Sequence, residues 1–429
     1  MNILILNCGS SSIKFQIAEM PKCNVIIRGS VERIGYKDAE FKYSLAKEKV
    51  VQPVMNHEEG INLIINTLFK SNLGIEVKDI NAIGHRVVQG GDKQNISVRI
   101  DDKVTDYIES IKELAPLHNP NHLAGIYACK KLLPDVPQIA VFDNGFHMSI
   151  PNFAYIYGIP YEYYEKYNIR RYGFHGIAFR SMAEEVDKIL NDSHKKYKIV
   201  NLMLGSGTTA NALKYGKSIE VSTGFTPHEG LIQSTRAGDI DAAAILYLMK
   251  KENLTIEQAD ELINKRSGWK GLSGISNDMR EIYEAAESGN DRAKLTIDAV
   301  CHRFKKYVGA YSAIMEGIDM LVFSGGVGQN AHYIREKVCK GLEYMGIELD
   351  EYKNNNMTGI ISKDSSKVKI IVVNANEEKI IAKDTYEICK GNSERQWGIH
   401  QQKRHEILQA YAPKMTGMDT LPTVWLLLR

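Results

Sequence analysis

The chain opens on MNILILN, a run dense in Ile and Leu. It then passes through Cys8-Gly9-Ser10-Ser11-Ser12 into an alternation in which Ile13, Phe15 and Ile17 are the apolar positions. A short apolar run, a Gly/Ser turn and a period-two run predict a strand, a tight turn and a second strand. The same pattern returns in the second half as KIVNLML over 198–204, Gly205-Ser206-Gly207-Thr208-Thr209, and then Ala210 to Leu213. A second unit also occurs twice, as a strand running into glycines. Ala82 to Val88 leads to Gly90-Gly91, and Met320 to Ser324 leads to Gly325-Gly326-Val327-Gly328. This order points to two related halves.

Helical periodicity lies between these strands. Asn290-Asp291 can cap a long helix in which Val300, Phe304, Val308, Tyr311 and Met315 recur at spacings of three and four. Asp239 or Asp241 can open another through Ala243 to Lys250, and a helix follows the strand Val368 to Val373. Strands alternating with helices predict α/β architecture. Ala115 to Pro120 and Ile159-Pro160 read as loops. After Gly391 the periodicity stops, so residues 391–429 are expected to be a disordered or non-native tail.

Composition narrows the classes. Lys plus Arg is 54 and Asp plus Glu is 52, a net charge of +2, so bulk electrostatics draws the chain to neither nucleic acid nor an anionic membrane. Any anion must be caught by local groups. The apolar stretch at Met1 to Leu6 is too short for a signal peptide, and no run approaches a membrane span. Six scattered cysteines without a CxxC pair fit a reduced, cytoplasmic protein without structural zinc.

The Gly/Ser turns carry the first chemical signal. Backbone amides and hydroxyls gathered at one point suit a phosphate, because they donate without net charge. Gly325 to Gly328 with Asn330 adds a third place where a nucleotide can approach the backbone. No GK[ST] follows, so it is not a Walker loop, and the glycine spacing disfavours a dinucleotide fold.

Several ordered motifs then resemble those of the acetate kinase (acetokinase) family. Asn7-Cys8-Gly9-Ser10-Ser11-Ser12-Ile13-Lys14 is similar to its opening signature. Gly84-His85-Arg86-Val87-Val88 before Gly90-Gly91, Ala115 to Pro120, and Val141-Phe142-Asp143 with Phe146-His147 are similar too. Arg170 to Gly176, Gly224 to Pro227 with Glu229-Gly230, and Thr235-Arg236 with Gly238 to Asp241 complete the set, over about residues 1–388.

The resemblance implies a duplicated actin-like ATPase fold with a nucleotide cleft between two α/β domains. These would be 1–147 plus about 378–390, and 148–377 with nucleotide-binding and dimerisation surfaces. It implies reversible phosphoryl transfer between ATP and acetate, with Mg²⁺ or Mn²⁺, in a homodimer. A carboxylate nucleophile is already ionised, so the chemistry needs cations and donors more than a general base. Arg86 and Arg236 would hold carboxylate and phosphoryl groups in bidentate forks, with His175 as a donor. Asp143, Asn7 and Glu377 would serve the metal, and Lys14 would sit alongside the phosphates. Val88, Leu117, Phe174 and Pro227 would form the apolar pocket for the acetyl methyl. Gly205, Ser206 and Gly207 would hold nucleotide phosphates. Asp278, Met279 and Arg280, with Gly326, Val327, Gly328, Gln329 and Asn330, would hold adenosine, although Asp278 and Arg280 also read as a helix cap.

The chain departs from the family pattern at Met203, Ser206, Gln89 and Gln329. Met203 stands where a histidine is usual, and a thioether cannot donate a hydrogen bond. The alternatives are therefore a propionate or other short-chain acyl kinase, a pyrophosphate-dependent enzyme, and a weakly active or non-catalytic nucleotide-binding homologue.

Overall fold

The computed structural model describes residues 1–391 except Lys47, 71–75, 94–96 and Leu117. The expected tail beyond Gly391, and Leu117 of the expected acyl pocket, lie outside the described residues. Residues Met1–Tyr386 form one unit; of the second, Glu387–Arg429, the described residues are the last helical turn and a short turn after it.

Two mixed sheets organise the first unit. The first contains β1 (Asn2–Cys8), β2 (Ser12–Glu19), β3 (Asn24–Glu32), β4 (Tyr36–Tyr43), β5 (Val50–Val54), β6 (Ile80–Val87), β7 (Val98–Arg99) and β8 (Gln138–Phe142). Its order is β5-β4-β3-β2-β1-β6-β8-β7. The second contains β9 (Lys198–Leu204), β10 (Thr208–Lys214), β11 (Lys217–Val221), β12 (Met320–Ser324), β13 (Gly359–Ile360) and β14 (Lys369–Val372), in the order β11-β10-β9-β12-β14-β13.

The sheets repeat one plan. In each, an antiparallel Gly/Ser hairpin supplies two strands, and two further strands run parallel to the first of them. A short antiparallel strand closes the far edge. The parallel strands are buried on both faces, which is why β1, β6, β8, β9 and β12 read as nearly continuous apolar runs.

Helices cover both sheets. Asn290 caps the helix Asp291–Met315, which buries Val300, Phe304, Val308, Tyr311 and Met315 as the periodicity predicts. Asp241 caps Ala242–Glu252. Two expectations differ in detail. Ala115 to Pro120 is not all loop: a helix begins at Asn119, with Pro120 in its first turn, where a missing N–H costs nothing. The glycine segment after β12 is itself a helical turn, Gly325–Asn330.

Candidate active site

Because β1, β6 and β8 are parallel neighbours, Asn7, Arg86 and Asp143 emerge together at their carboxyl ends. Ligands of α/β sheets gather at such an edge. Arg86 Nη2 donates to Asp143 Oδ2 at 2.8 Å, and Arg86 Nε lies 3.8 Å from Glu377 Oε2. Asp143 is almost wholly buried and also accepts from the main-chain amides of His175 (3.1 Å) and Ile177 (3.3 Å). Burial opposes its charge, but Arg86 and His175 outweigh this and hold its pKa below the usual value. Burial likewise disfavours charge on Arg86, and Asp143 and Glu377 overcome it.

His175 adopts a left-handed backbone, φ 60°, just before the helix Gly176–Leu190. The turn is tight: a Cβ on Gly176 would lie 2.1 Å from Asp143 O. His175 Nδ1 is 2.9 Å from Thr209 Oγ1 on β10, and its Cε1 would be 3.1 Å from a Cβ on Gly207. The imidazole thus spans from the Asp143 turn to the Gly205–Gly207 hairpin. Burial pushes its pKa down to about 4, with Arg86 and Arg236 acting in the same direction. A neutral ring remains, able to donate from one nitrogen.

Arg236 approaches from the second half. Its Nη1 donates to Gln233 Oε1 at 3.3 Å, and among the described residues it has no carboxylate partner. Burial lowers its pKa. Both arginines also depress His118, to about 4 after burial, so two guanidinium groups and two neutral imidazoles share one region.

The expected acyl pocket is partly assembled. Val88 and Phe174 pack with Tyr172 in one buried cluster that Leu114 and Phe225 adjoin. Pro227, half-buried, accepts from Gln233 Nε2 through its carbonyl at 2.6 Å, which ties it to the Arg236 segment. In the hairpin, Gly205 N donates to Gly207 O at 3.1 Å, and Ser206 Oγ lies 2.9 Å from Ser234 Oγ. A Cβ on Gly325 would fall 2.5 Å from Leu204 O, so the second glycine segment packs directly on this hairpin. Gly326 faces open space, Val327 and Gly328 lie beyond it, Asn330 Nδ2 donates to Gly326 O, and Gln329 reaches Asn374 Oδ1 at 3.4 Å.

Asp278 caps the helix Met279–Glu287 and forks onto Arg280, so both are engaged with each other. The Met279 side chain is buried in the core, and its carbonyl accepts from the Tyr333 hydroxyl at 3.3 Å. Lys14 is exposed on β2, opposite Asn7 in the hairpin register. Met203 pairs with Thr209 across the second hairpin, so it shares a face with the residue that holds His175. Thr209, which the sequence marks only as part of the phosphate turn, orients His175, and Gln233, which carries no signal in the sequence, orients Arg236.

Comparisons with known proteins show the family. The profile of the Acetokinase family matches residues 2–383. The chain is 47% identical to an acetate kinase of Thermotoga maritima over 399 residues, 91% of this chain and 99% of that protein. It is 46% identical to an acetate kinase of Carboxydothermus hydrogenoformans, over 90% of this chain and 99% of that one. Among solved structures, an acetate kinase of Porphyromonas gingivalis superposes with a TM-score of 0.86 at 43% identity, covering 90% of this chain and 99% of that one. A propionate kinase of Francisella tularensis superposes with a TM-score of 0.84 at 36% identity and the same coverage. With its two repeated mixed sheets and a family match over nearly all the described residues, the chain belongs to the acetokinase family, phosphotransferases that act on a carboxyl group.

Proposed function

We propose that the acetate kinase reaction of this chain is a direct in-line transfer between ATP and acetate, giving acetyl phosphate and ADP. The observation that carries this reading is the convergence of Arg86 and Arg236 on the region of neutral His175 and His118. Two anions must meet there, and guanidinium forks on separate halves can hold one each. Asp143 keeps Arg86 in place and, through two amides, fixes the His175 turn. Arg236, free of any carboxylate partner among the described residues, keeps its donors for substrate. Val88 and Phe174 exclude water beside the acyl group, with Pro227 at the edge.

Asn7, Asp143 and Glu377 are oxygen donors of the kind a hard divalent ion takes. Among the described residues no three His, Cys, Asp or Glu side chains form a metal cage. The set therefore suits Mg²⁺ or Mn²⁺ that keeps waters and phosphate oxygens as its other ligands. The Glu377 carboxyl supports the fit: burial raises its pKa, and Asp143 and Glu378 add to the rise while Arg86 opposes it. Such an ion, when bound, neutralises charge on the transferring phosphates.

The partition into 1–147 plus about 378–390, and 148–377, is part of the same proposal. Gly84 of β6 supports it, since a Cβ there would lie 2.5 Å from Thr385 Oγ1 and 2.7 Å from Ile381 Cγ2, so the segment after Glu377 packs on the first half. A homodimer is supported by the helix Ala242–Glu252, which has no buried residue and exposes Leu246 and Tyr247. A reducing, cytoplasmic setting accords with Cys8, Cys23, Cys129, Cys301 and Cys339 being free thiols. Among the described residues no helix is long and apolar enough to cross a membrane.

An acyl-hydroxamate assay with acetate, propionate and butyrate against ATP, GTP and pyrophosphate tests the reading. Acetate with ATP is expected to be best. Propionate is the second reading, because a propionate kinase shares the fold and one methylene is worth only ~1–3 kcal/mol. Preference for pyrophosphate, or no hydroxamate from any pair, would refute the proposal.

A further inference from the structure

In the acyl kinase reading the pocket has two walls, drawn from different segments. Tyr172 and Phe174 stand with Val88 on one side. Phe225 and Pro227 belong to the other, in the stretch after β11 that has no regular secondary structure. Hydrogen bonds fasten the two segments where the second begins. Tyr172 N donates to Gly224 O at 3.0 Å, and Phe174 N donates to Thr223 Oγ1 at 2.9 Å. Beyond Gly224 no strand pairing holds the second wall, so side chains must do it.

Tyr157, Arg171 and Glu229 supply that hold. Tyr157 Oη donates to Glu229 Oε2 at 2.5 Å and accepts from Phe225 N at 2.8 Å. Arg171 Nη2 donates to the other Glu229 oxygen at 2.5 Å. Its Nη1 donates to the carbonyls of Val221 (3.0 Å), Ser222 (3.2 Å) and Thr223 (3.2 Å). One hydroxyl and one guanidinium thus grip the 221–229 segment at both ends. Bonds to a charged carboxylate are the strong kind. The segment is folded round that carboxylate: a Cβ on Gly224 would lie 1.7 Å from Glu229 Oε2 and 2.2 Å from Tyr157 Oη, so only a glycine fits. Tyr157 is half-buried, and burial together with Glu229 pushes its pKa up, so the hydroxyl keeps its proton and stays a donor. The clamp reaches the pocket through Phe225, whose ring centroid lies 6.3 Å from that of Tyr172. A longer acyl chain must find its room in the spacing between these walls.

We propose that Tyr157 and Glu229, held by Arg171, are positioning residues that fix the width of the acyl pocket and so favour a two-carbon acid over longer ones. The proposal rests on the acyl kinase reading of this pocket.

The test compares the parent with Tyr157→Phe, which removes one oxygen and leaves Phe225 N and Glu229 Oε2 short of a partner. Hydroxamate kinetics with acetate and with propionate give kcat and KM for each acid and for ATP. KM for acetate should rise about fivefold or more, while KM for ATP stays within about twofold. The propionate-to-acetate ratio of kcat/KM should rise at least about threefold. Glu229→Gln keeps the shape but weakens the grip of Arg171. It should move the same quantities the same way, and it covers the case in which Tyr157→Phe does not fold. Val300→Ala, in the core of the second sheet, is the control for lost stability: it should lower Tm without changing the ratio. Titration of both acids into each protein with ADP and magnesium, followed by the ligands' methyl resonances, reads binding without turnover. A parent that binds the acids but forms no hydroxamate refutes only the transfer reading, and the ratio of affinities then decides the clamp. The proposal is overturned if the parent binds neither acid, if both variants keep the parent's ratio, if KM for ATP rises in step with that for acetate, or if Val300→Ala shifts the ratio as much.

Discussion

Arg86 and Arg236 are expected to serve the same transition state, but the structure places them in different electrostatic settings. Replacing either by Ala removes a donor aimed at developing charge, worth ~2.7–4 kcal/mol, so kcat should fall at least ~10²-fold in both. Stability should separate them. Arg86 neutralises a carboxylate that is 1% exposed, and without it Asp143 keeps only the amides of His175 and Ile177. Breaking a buried pair from one side costs ~3–5 kcal/mol, which for a chain of this size lowers the apparent Tm by about 4–6 °C. Arg236 carries a desolvated charge with no carboxylate to strand, so Arg236→Ala should leave Tm within about 2 °C of the parent. Asp143→Asn should recover part of the stability lost in Arg86→Ala, because the two positions are coupled. The assays are hydroxamate turnover and a thermal melt on the same preparations. Equal Tm losses in the two Ala variants, or near-normal turnover in either, would refute this account.

Met203→His should raise kcat by ~10-fold with little change in KM, since it restores a donor on the face that holds Thr209 and His175; Met203→Leu should match the parent, and identical behaviour of the two would exclude a missing donor. Gly176→Ala places a methyl against Asp143 O and Phe146 Cβ, so it should lower Tm and turnover together, by ~1–3 kcal/mol or more in stability, as read by melt and assay. His85 and His147 are buried with pKa values pushed down to about 4, so they stay neutral when folded while the unfolded chain takes up protons below about pH 6.5. Stability should therefore be full above that pH and fall toward pH 4, with about 1.3 kcal/mol lost per histidine between pH 7.5 and 5.5; a flat Tm across this range would contradict it. Leu246→Glu on the exposed helix should shift a dimer toward monomer in sedimentation, and an unchanged mass would rule out that face.

Much of the fold was legible in local pattern. β9 and β12 coincide with the apolar runs 198–204 and 320–324, and Asn290 caps the helix its side chain suggests. These segments are buried on both faces or strongly periodic, so burial and local geometry ask for the same residues. β3 to β5 were not legible, because their alternation is interrupted by exposed Val25, Val50 and Val51. Each pairs with the strand next to it in the chain, and it is packing against those neighbours, more than its own pattern, that makes it a strand.

At the site, sequence alone determined which residue types were available: two arginines, a histidine between glycines, Asp143 and Glu377. Tertiary structure decided their states. Parallel pairing of β1, β6 and β8 gathers Asn7, Arg86 and Asp143. Arg86 is neutralised and Arg236 is not, because only one of them meets a carboxylate. Asp278 and Arg280 face each other, and Met279 turns into the core, because the helix they open must be capped and must bury one side. Charge state and side-chain direction depend on what lies within a few ångströms, and those neighbours come from strands and turns tens to hundreds of residues apart.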